Sequence, residues 1–295
     1  MFSGQKKVKW ILVFLLLFAN FLVWQSVNGD RSRDFFTLAV LDVGQGDSIF
    51  IEDTAGHQIL VDGGPDQSVL AELPKLMSVF DRSIDLLVLT HPHADHLTGL
   101  VEILKRYRVS GVLEAGAIYD SAIYDEWHRL LKEKNIPVVV ARRGERVILA
   151  DNSRLEVLAP SVSWQDRGAK NIHDSMVVTR LIVASSSVAL LTGDMESDLE
   201  DRLLSDGTNL SAQILKVGHH GSKTSTGGSF LRAVAPKFAV ISVARENRYG
   251  HPHPQTLGVL QNFGVEILRT DELGTITFRI DKSAGVVFLE RGRFE

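Results

Sequence analysis

Three imidazoles and a carboxylate fall within residues 91–96 of the stretch T-H-P-H-A-D-H (90–96). An apolar run at 86–89 precedes it and a helical apolar period begins at Leu97, so the stretch occupies a strand-to-helix connection. Alternate side chains of an extended segment share a side. That puts His91 and His93 together, while the turn into the helix brings Asp95 and His96 to a second position nearby. Imidazole and carboxylate suit zinc, manganese or iron, and two half-sites predict a dinuclear centre. The ordinary alternative is a histidine-rich loop in solvent. The chain has no cysteine, which excludes disulfide scaffolds, thiolate zinc sites, iron–sulfur clusters and cysteine nucleophiles. Any metal must rest on His, Asp or Glu.

Further donors fall at other predicted strand ends. Asp194 closes L-L-T-G-D (190–194), where a carboxylate could bridge two metals, although a Gly-Asp pair is more often a turn. His219 and His220 follow a strand in L-K-V-G-H-H-G-S (215–222), with glycines that permit close backbone approach. Asp62, in L-V-D-G-G (60–64), would accept a hydrogen bond that fixes the histidine loop, or serve only in a turn.

With 44% hydrophobic and 23% charged residues among 295, the composition is that of an ordinary globular protein able to bury a sizeable core. Strands are expected at 36–43, 48–52, 58–62, 85–90, 111–114, 138–141 and 155–158, then at 176–183, 188–191, 213–217, 238–243, 265–269, 275–280 and 286–289. Helical periodicity is expected at 68–80, 97–107, 121–133, 196–204, 228–234 and 254–263. No Pro, Gly or Ser tract marks a linker, so residues 34–295 are expected to form one domain. Two sheets with helices outside fit this α/β rhythm, as does one doubly wound sheet.

The first thirty residues read differently. Lys6, Lys7 and Lys9 precede the apolar run 10–23, broken only by Asn20. The run is shorter than the ~20 residues of a comfortable span, although Trp24, Val27 and the lysine stems could extend it. It is expected to be a membrane anchor or a cleaved signal peptide. Val27, Asn28 and Gly29 only loosely resemble a cleavage site, which favours the anchor. A buried internal helix is the remaining reading. The positive-inside rule then places the rest of the chain outside the cytoplasm. Residues 1–30 hold three of the 32 basic and one of the 36 acidic residues, leaving 29 against 35 and a net charge of −6. A nucleic-acid partner would need a local basic groove.

The stretches L-D-V-G-Q-G-D-S (41–48), V-D-G-G (61–64), T-H-P-H-A-D-H-L-T-G-L (90–100), L-L-T-G-D-M-E (190–196), L-K-V-G-H-H-G-S-K-T-S-T (215–226), N-R-Y-G-H-P (247–252) and R-T-D-E-L-G (269–274) occur in a specific order and spacing. In them the sequence resembles metallo-β-lactamase-fold hydrolases, and more narrowly the extracytoplasmic nuclease-like domain of ComEC-type competence proteins. The resemblance covers nearly all of 35–290 and does not extend to the transmembrane helices of a full competence channel. It implies an αββα sandwich with two divalent metals, zinc or manganese, at the edge of the sheets. Carried onto this chain, it makes His91 and His93 ligands of one metal, Asp95 and His96 ligands of the other, and Asp194 the bridge. His220 would complete the second site. His219 would then contact phosphate or protonate the leaving oxygen, although the two assignments could be reversed. His173, in N-I-H-D-S (171–175), is either a further ligand of the first metal or a surface residue, because ComEC-like sequences usually carry Asn and Ser there without the histidine. Gln45, Ser175, Ser222, Asn247 and His251 would line the pocket, or act as turns and caps.

The expected activity is metal-dependent hydrolysis of a phosphodiester, with DNA as the leading substrate and a link to DNA uptake. Lys216 and Lys223 are candidate backbone-contacting cations, and Arg142, Arg143 and Arg146 more distant ones. A phosphodiesterase acting on cell-wall polymers such as choline-decorated teichoic acid is the alternative, with lactonase or β-lactamase activity behind it. A non-catalytic DNA-binding or uptake accessory is the reading from another class.

Overall fold

Period-two alternation decides which side of a sheet each strand residue covers. In β1 (Phe35–Val40), Phe36, Leu38 and Val40 enter a core shared by two sheets, while Ala39 faces a helical layer. The same split recurs in β2 (Ile49–Glu52), where Ile49 and Ile51 oppose Phe50, and in β3 (Gln58–Val61), where Ile59 and Val61 oppose Leu60. These strands are apolar on both faces and must be covered on both. A four-layer arrangement, helix on sheet on sheet on helix, satisfies that requirement.

The computed structural model describes residues 3–28, 34–169 and 171–290, with side chains from residue 8 and excluding 22–28. The chain continues through β4 (Ser83–Ile84), β5 (Leu86–Val88), β6 (Arg108–Val109), β7 (Val112–Glu114), β8 (Val138–Val140), β9 (Arg146–Ile148) and β10 (Arg154–Ala159). The second half holds β11 (Val178–Val183), β12 (Ser186–Leu191), β13 (Ile214–Lys216), β14 (Phe238–Ile241), β15 (Glu266–Arg269), β16 (Ile276–Asp281) and β17 (Val287–Glu290). One sheet has the order β17-β16-β1-β2-β3-β5-β7-β8, the other β15-β14-β13-β12-β11-β10-β9, and β4 pairs with β6. Strands β3, β5, β7 and β8 run parallel, as do β12 to β15. Register aligns Leu191 with Lys216 and Lys216 with Val240, so three loops leave the second sheet side by side. In such sheets ligands bind beyond the carboxyl ends of parallel strands.

All fourteen expected strands form, most shortened or shifted by one to three residues, while 155–158 and 188–191 extend to Arg154–Ala159 and Ser186–Leu191. The short strands β4, β6 and β9 carry too few residues for a period to show. Helices α1 (Ser3–Asn28), α2 (Val69–Glu72), α3 (Ala94–Arg106), α4 (Ala122–Glu133), α5 (Ser197–Ser205), α6 (Gly228–Val234), α7 (Pro254–Asn262) and α8 (Thr270–Leu273) complete the chain. The expected helix 68–80 is corrected to α2 followed by a 3-10 turn at Leu73–Lys75, because Pro74 has no N–H to continue an α-helix. Helix α3 starts three residues earlier than its apolar period suggests, which places Asp95 and His96 in its first turn.

Helix α3 is locked onto the V-D-G-G loop at van der Waals distance. A Cβ on Gly99 would lie 1.8 Å from the Gly63 carbonyl oxygen, so this approach admits no side chain. Gly63 N donates to His96 O at 2.7 Å and Gly99 N to Gly64 O at 3.0 Å. The loop carrying Asp62 and the turn carrying His96 are therefore one unit. At the other end of the chain, the described side chains of α1, from Val8 to Phe21, are exposed and mostly apolar, so a buried internal helix is not what forms. Among the described residues no helix is long and apolar enough to cross a membrane. The side chains of Lys6, Lys7, Trp24 and Val27, and all of Gly29, lie outside the described residues.

Candidate metal centre

Donor groups arrive at one point from both sheets. Asp62 follows β3, His91 and His93 follow β5, Asp194 follows β12, His219 and His220 follow β13, and Ser242 and His251 follow β14. Among the described residues four groups of donors result, each with its atoms within 4.8 Å of one another: His91, His93, His173 and Asp194; Asp95, His96, Asp194 and His220; His173, Glu196 and His219; and Asp47, Asp62 and His96. The first two are the ones that share Asp194. Its Oδ2 is 3.8 Å from His91 Nε2, and its Oδ1 is 3.3 Å from His96 Nε2 and 3.4 Å from His220 Nε2. Asp95 Oδ2 is 3.4 Å from His220 Nε2 and 4.0 Å from His96 Nε2. Ligands at ~2.0–2.2 Å around a tetrahedral ion stand roughly 3.3–3.6 Å apart, close to these spacings.

The far nitrogens of the rings are already engaged. His96 Nδ1 meets Asp62 Oδ2 at 2.7 Å, His220 Nδ1 donates to Ser242 O at 2.9 Å, and His219 Nδ1 lies 3.2 Å from Glu196 Oε1. Thr90 Oγ1 donates to Asp62 Oδ2 at 2.7 Å and stands 3.2 Å from His91 Nδ1. Such contacts fix tautomer and ring direction, leaving Nε2 as the free lone pair. His91 Nε2, His96 Nε2, His173 Nε2, His220 Nε2 and Asp194 Oδ1 are all buried without a hydrogen-bond partner among the described residues. Unpartnered buried polar atoms are costly. Five such atoms in the donor groups that share Asp194 fit divalent metal binding.

Charge in the protein alone is arranged in the same sense. Burial holds the His91 imidazole well below its ordinary range, with His96 adding to the effect, so that ring is neutral. Burial opposes the charge on His96 as well, but Asp194 and Asp62 outweigh it and raise that imidazole well above its ordinary range. Burial would raise the Asp194 carboxyl; His220 and His96 overcome this and hold it well below. Asp95, likewise opposed by burial, is held at about 2 by His220 and His96. Asp194 and Asp47 likewise outweigh burial and raise His220, so protons compete with metal at both rings and uptake depends on pH.

The local backbone is shaped to present these groups. Gly193, at φ +52, carries the chain past Thr90 and Met176, whose atoms lie within 3.0 Å of where a Cβ would stand. His219 and His220 both adopt left-handed conformations, at φ 46 and 52. Non-glycine residues hold such angles only where the surroundings enforce them. Here the anchors are His219 N donating to Gly193 O at 3.2 Å and the Ser242 contact of His220.

The remaining expected residues take varied places. His173 sits in the first donor group, its ring centroid 5.3 Å from that of His91 and 5.1 Å from that of His93. His219 Nε2 is 3.8 Å from Asp194 Oδ2, outside the two groups that share Asp194, and the His251 ring lies 5.8 Å from the His219 ring. Ser175 is fully buried and its hydroxyl donates to Ile172 O at 2.7 Å, so it shapes the His173 turn instead of facing a ligand. Ser222 is engaged with Thr224 at 3.0 Å. Gln45 lines a cavity beside Asp95, and its Oε1 accepts from Ala244 N at 3.3 Å.

Lys216 is no contact for a polyanion: it is wholly buried, paired with Asp47 at 2.7 Å. Arg143 pairs with Asp206 and Arg146 with Glu156, while Arg142 reaches towards Ser163. Lys223 is exposed. Two carboxylates went unrecognised from sequence. Glu196, two residues past Asp194, stands 3.5 Å from His173 Nδ1 and 3.2 Å from His219 Nδ1. Asp47 holds Lys216 and lies 3.4 Å from His220 Nδ1. Each occurs inside one of the glycine-rich motifs, which was the available signal.

His173 enters the first group on the same footing as His91. His173→Ala should lower first-site metal affinity by an amount comparable to His91→Ala, because each deletes one imidazole nitrogen. Parallel zinc titrations of the two variants check this; unchanged affinity in His173→Ala beside a clear loss in His91→Ala removes His173 from the site.

The family model for the metallo-β-lactamase superfamily matches residues 41–245. The chain is 32% identical over 265 residues to ComE operon protein 3 of Bacillus subtilis, covering 83% of this chain and 33% of that protein. It is 32% identical over 272 residues to competence protein ComA of Neisseria gonorrhoeae, covering 91% and 35%. The chain thus spans about a third of the length of these curated relatives. Among solved structures, Igni18, a metallo hydrolase from the archaeon Ignicoccus hospitalis, superposes with a TM-score of 0.53 at 16% identity, covering 82% of this chain and 98% of that one. CmlA, a diiron β-hydroxylase from Streptomyces venezuelae, gives 0.53 at 15% identity, covering 84% and 55%. These structures share the fold. The matched model, spanning the loops that carry His91 to His96, Asp194 and His220, makes this chain a member of the metallo-β-lactamase superfamily.

Proposed function

We propose that the chain is a dinuclear metal-dependent phosphodiesterase that cleaves DNA outside the cytoplasmic membrane, in connection with DNA uptake. The observation that carries this reading is Asp194, whose two carboxylate oxygens face two separate donor groups. His91, His93 and His173 would hold one ion, Asp95, His96 and His220 the other, with Asp194 between them. Zinc or manganese bound there would lower the pKa of a water towards neutrality and stabilise charge on attacking and departing oxygens, as in-line displacement at phosphorus requires.

The other side chains supply orientation and protons. His219 is half-buried beside the first group, with Nδ1 directed at Glu196. That contact orients the ring, with Nε2 3.8 Å from Asp194 Oδ2, where it would donate to the departing oxygen. Burial and the neighbouring His220 and His219 hold His251 down at about 4, so it is neutral near pH 7 and offers a hydrogen bond without charge. Its Nδ1 is buried with no partner among the described residues. Two relatives carry competence in their names or operons, which supports DNA over other diesters. The exposed apolar face of α1 supports attachment to a membrane through the N-terminal segment.

Asp194→Asn keeps size but weakens both donor groups, and turnover on bis-p-nitrophenyl phosphate and DNA should fall at least about 100-fold. Full activity would sink the assignment. Wild-type protein with zinc or manganese should cleave DNA and leave a lactone intact; cleavage of the small diester or a choline phosphodiester without DNA would move the substrate to cell-wall polymers. Protease added to intact spheroplasts should digest the domain, whereas protection with the outer face accessible contradicts export.

A further inference from the structure

Two clefts lie near the metal centre, and of the two only the second is lined by an arginine or lysine. One, of about 450 Å³, lies beside His93, whose ring is 5.7 Å from that of Tyr119, and is lined by Glu114, Asp125 and Asp166. Three carboxylates make it a poor path for a polyanion. The other, of about 560 Å³, opens beside Asp95 and is lined by Gln45, Pro65, Glu246, Asn247, Arg248 and Tyr249. Tyr249 is 55% exposed there, unusual for a large ring beside a buried centre.

The loop bearing this tyrosine is preorganised. Asn247 Nδ2 donates to Ala244 O at 3.1 Å and His251 O at 2.8 Å, and its Oδ1 accepts from Tyr249 N at 3.2 Å and His251 N at 3.0 Å. All four bonds are internal to 244–251, so Asn247 staples the loop and does not itself face substrate. One face of the Tyr249 ring stands over His251, centroids 5.7 Å apart and planes 23° from parallel. His251 in turn stacks 6.5 Å from His220, a residue of the second donor group. The Arg248 guanidinium lies 5.2 Å from the Tyr249 ring centre and donates to its hydroxyl at 3.1 Å. A cation and an exposed π surface thus stand together, two rings out from the metal centre.

We infer that Tyr249 and Arg248 form a subsite for a nucleobase of single-stranded DNA adjacent to the scissile phosphate, the base stacking on the tyrosine and the neighbouring phosphate meeting the guanidinium. The inference rests on the phosphodiesterase reading and specifies which side the strand occupies. Stacking tolerates any base, because every base has a π face, and the arginine adds charge attraction along the backbone. The cleft beside His93 has no arginine or lysine in its lining, so the cleft with Arg248 is the one that offers a cation to the backbone.

The test compares a single-stranded thymidine oligonucleotide with an abasic strand of equal length and charge, cleaved by the full, metal-loaded chain. For wild-type protein the KM of the abasic strand should exceed that of the thymidine strand about tenfold. In Tyr249→Ala the ratio should collapse to about one; in Tyr249→Phe, which keeps the ring, it should be retained. A ratio near one in wild-type protein overturns the subsite, as does an unchanged ratio in Tyr249→Ala. Wild-type protein that hydrolyses a small phosphodiester but neither strand refutes DNA as substrate and this occupant with it. Comparable KM values for both strands, with normal turnover, would refute the subsite alone.

Discussion

A carboxylate buried to 2% exposure with four imidazoles within 3.8 Å of it is the constraint around which the rest of the domain is arranged. Isolated charges do not persist in such surroundings unless paired or coordinated. In the protein alone, Asp194 is compensated by a protonated His96, itself held by Asp62. Asp62 also receives Thr90 N at 2.8 Å and the Thr90 hydroxyl, which binds the end of β5 to the end of β3. One carboxylate gathers the donors and the other keeps their rings in place. Gly63 and Gly99 permit the close packing on which this second arrangement depends.

The strands were legible because most are short runs rich in β-branched or other apolar residues, as in β1 to β3, bounded by glycine or polar turns. Period alone left two packed sheets and one doubly wound sheet equally open. What separates them is non-local: Phe36, Leu38 and Val40 share a core with Leu155, Val157 and Leu181, a pairing of residues over a hundred positions apart. The donors of T-H-P-H-A-D-H were legible for the opposite reason, since their spacing is local and their chemistry narrow. Lys216 shows the limit. A lysine beside two histidines suggests a phosphate contact, yet the partner that buries it, Asp47, is far off in sequence and meets it only once the sheets are stacked. Asn247 misleads in the same way, because its four bonds are a turn's internal connections.

Electrostatics give the centre a direction. A net charge of −6 over residues 31–295 offers no long-range attraction for DNA, so recognition must come from local groups. The cleft beside His93 is acidic, whereas the one beside Asp95 carries Arg248 and a tyrosine on a stapled loop. His219, with Glu196 behind it, lies between the donor groups and His251. In the proposed reading, metal ligands, a proton donor and a substrate surface succeed one another across adjacent loops of parallel strands.

The central claim is that Asp194 joins two metal sites, and metal stoichiometry tests it most directly. Protein stripped of metal, reloaded with zinc and freed of excess should contain two ions per chain by elemental analysis, with protons released as they bind. A plateau at one ion per chain, or none, would contradict a dinuclear centre built on Asp194.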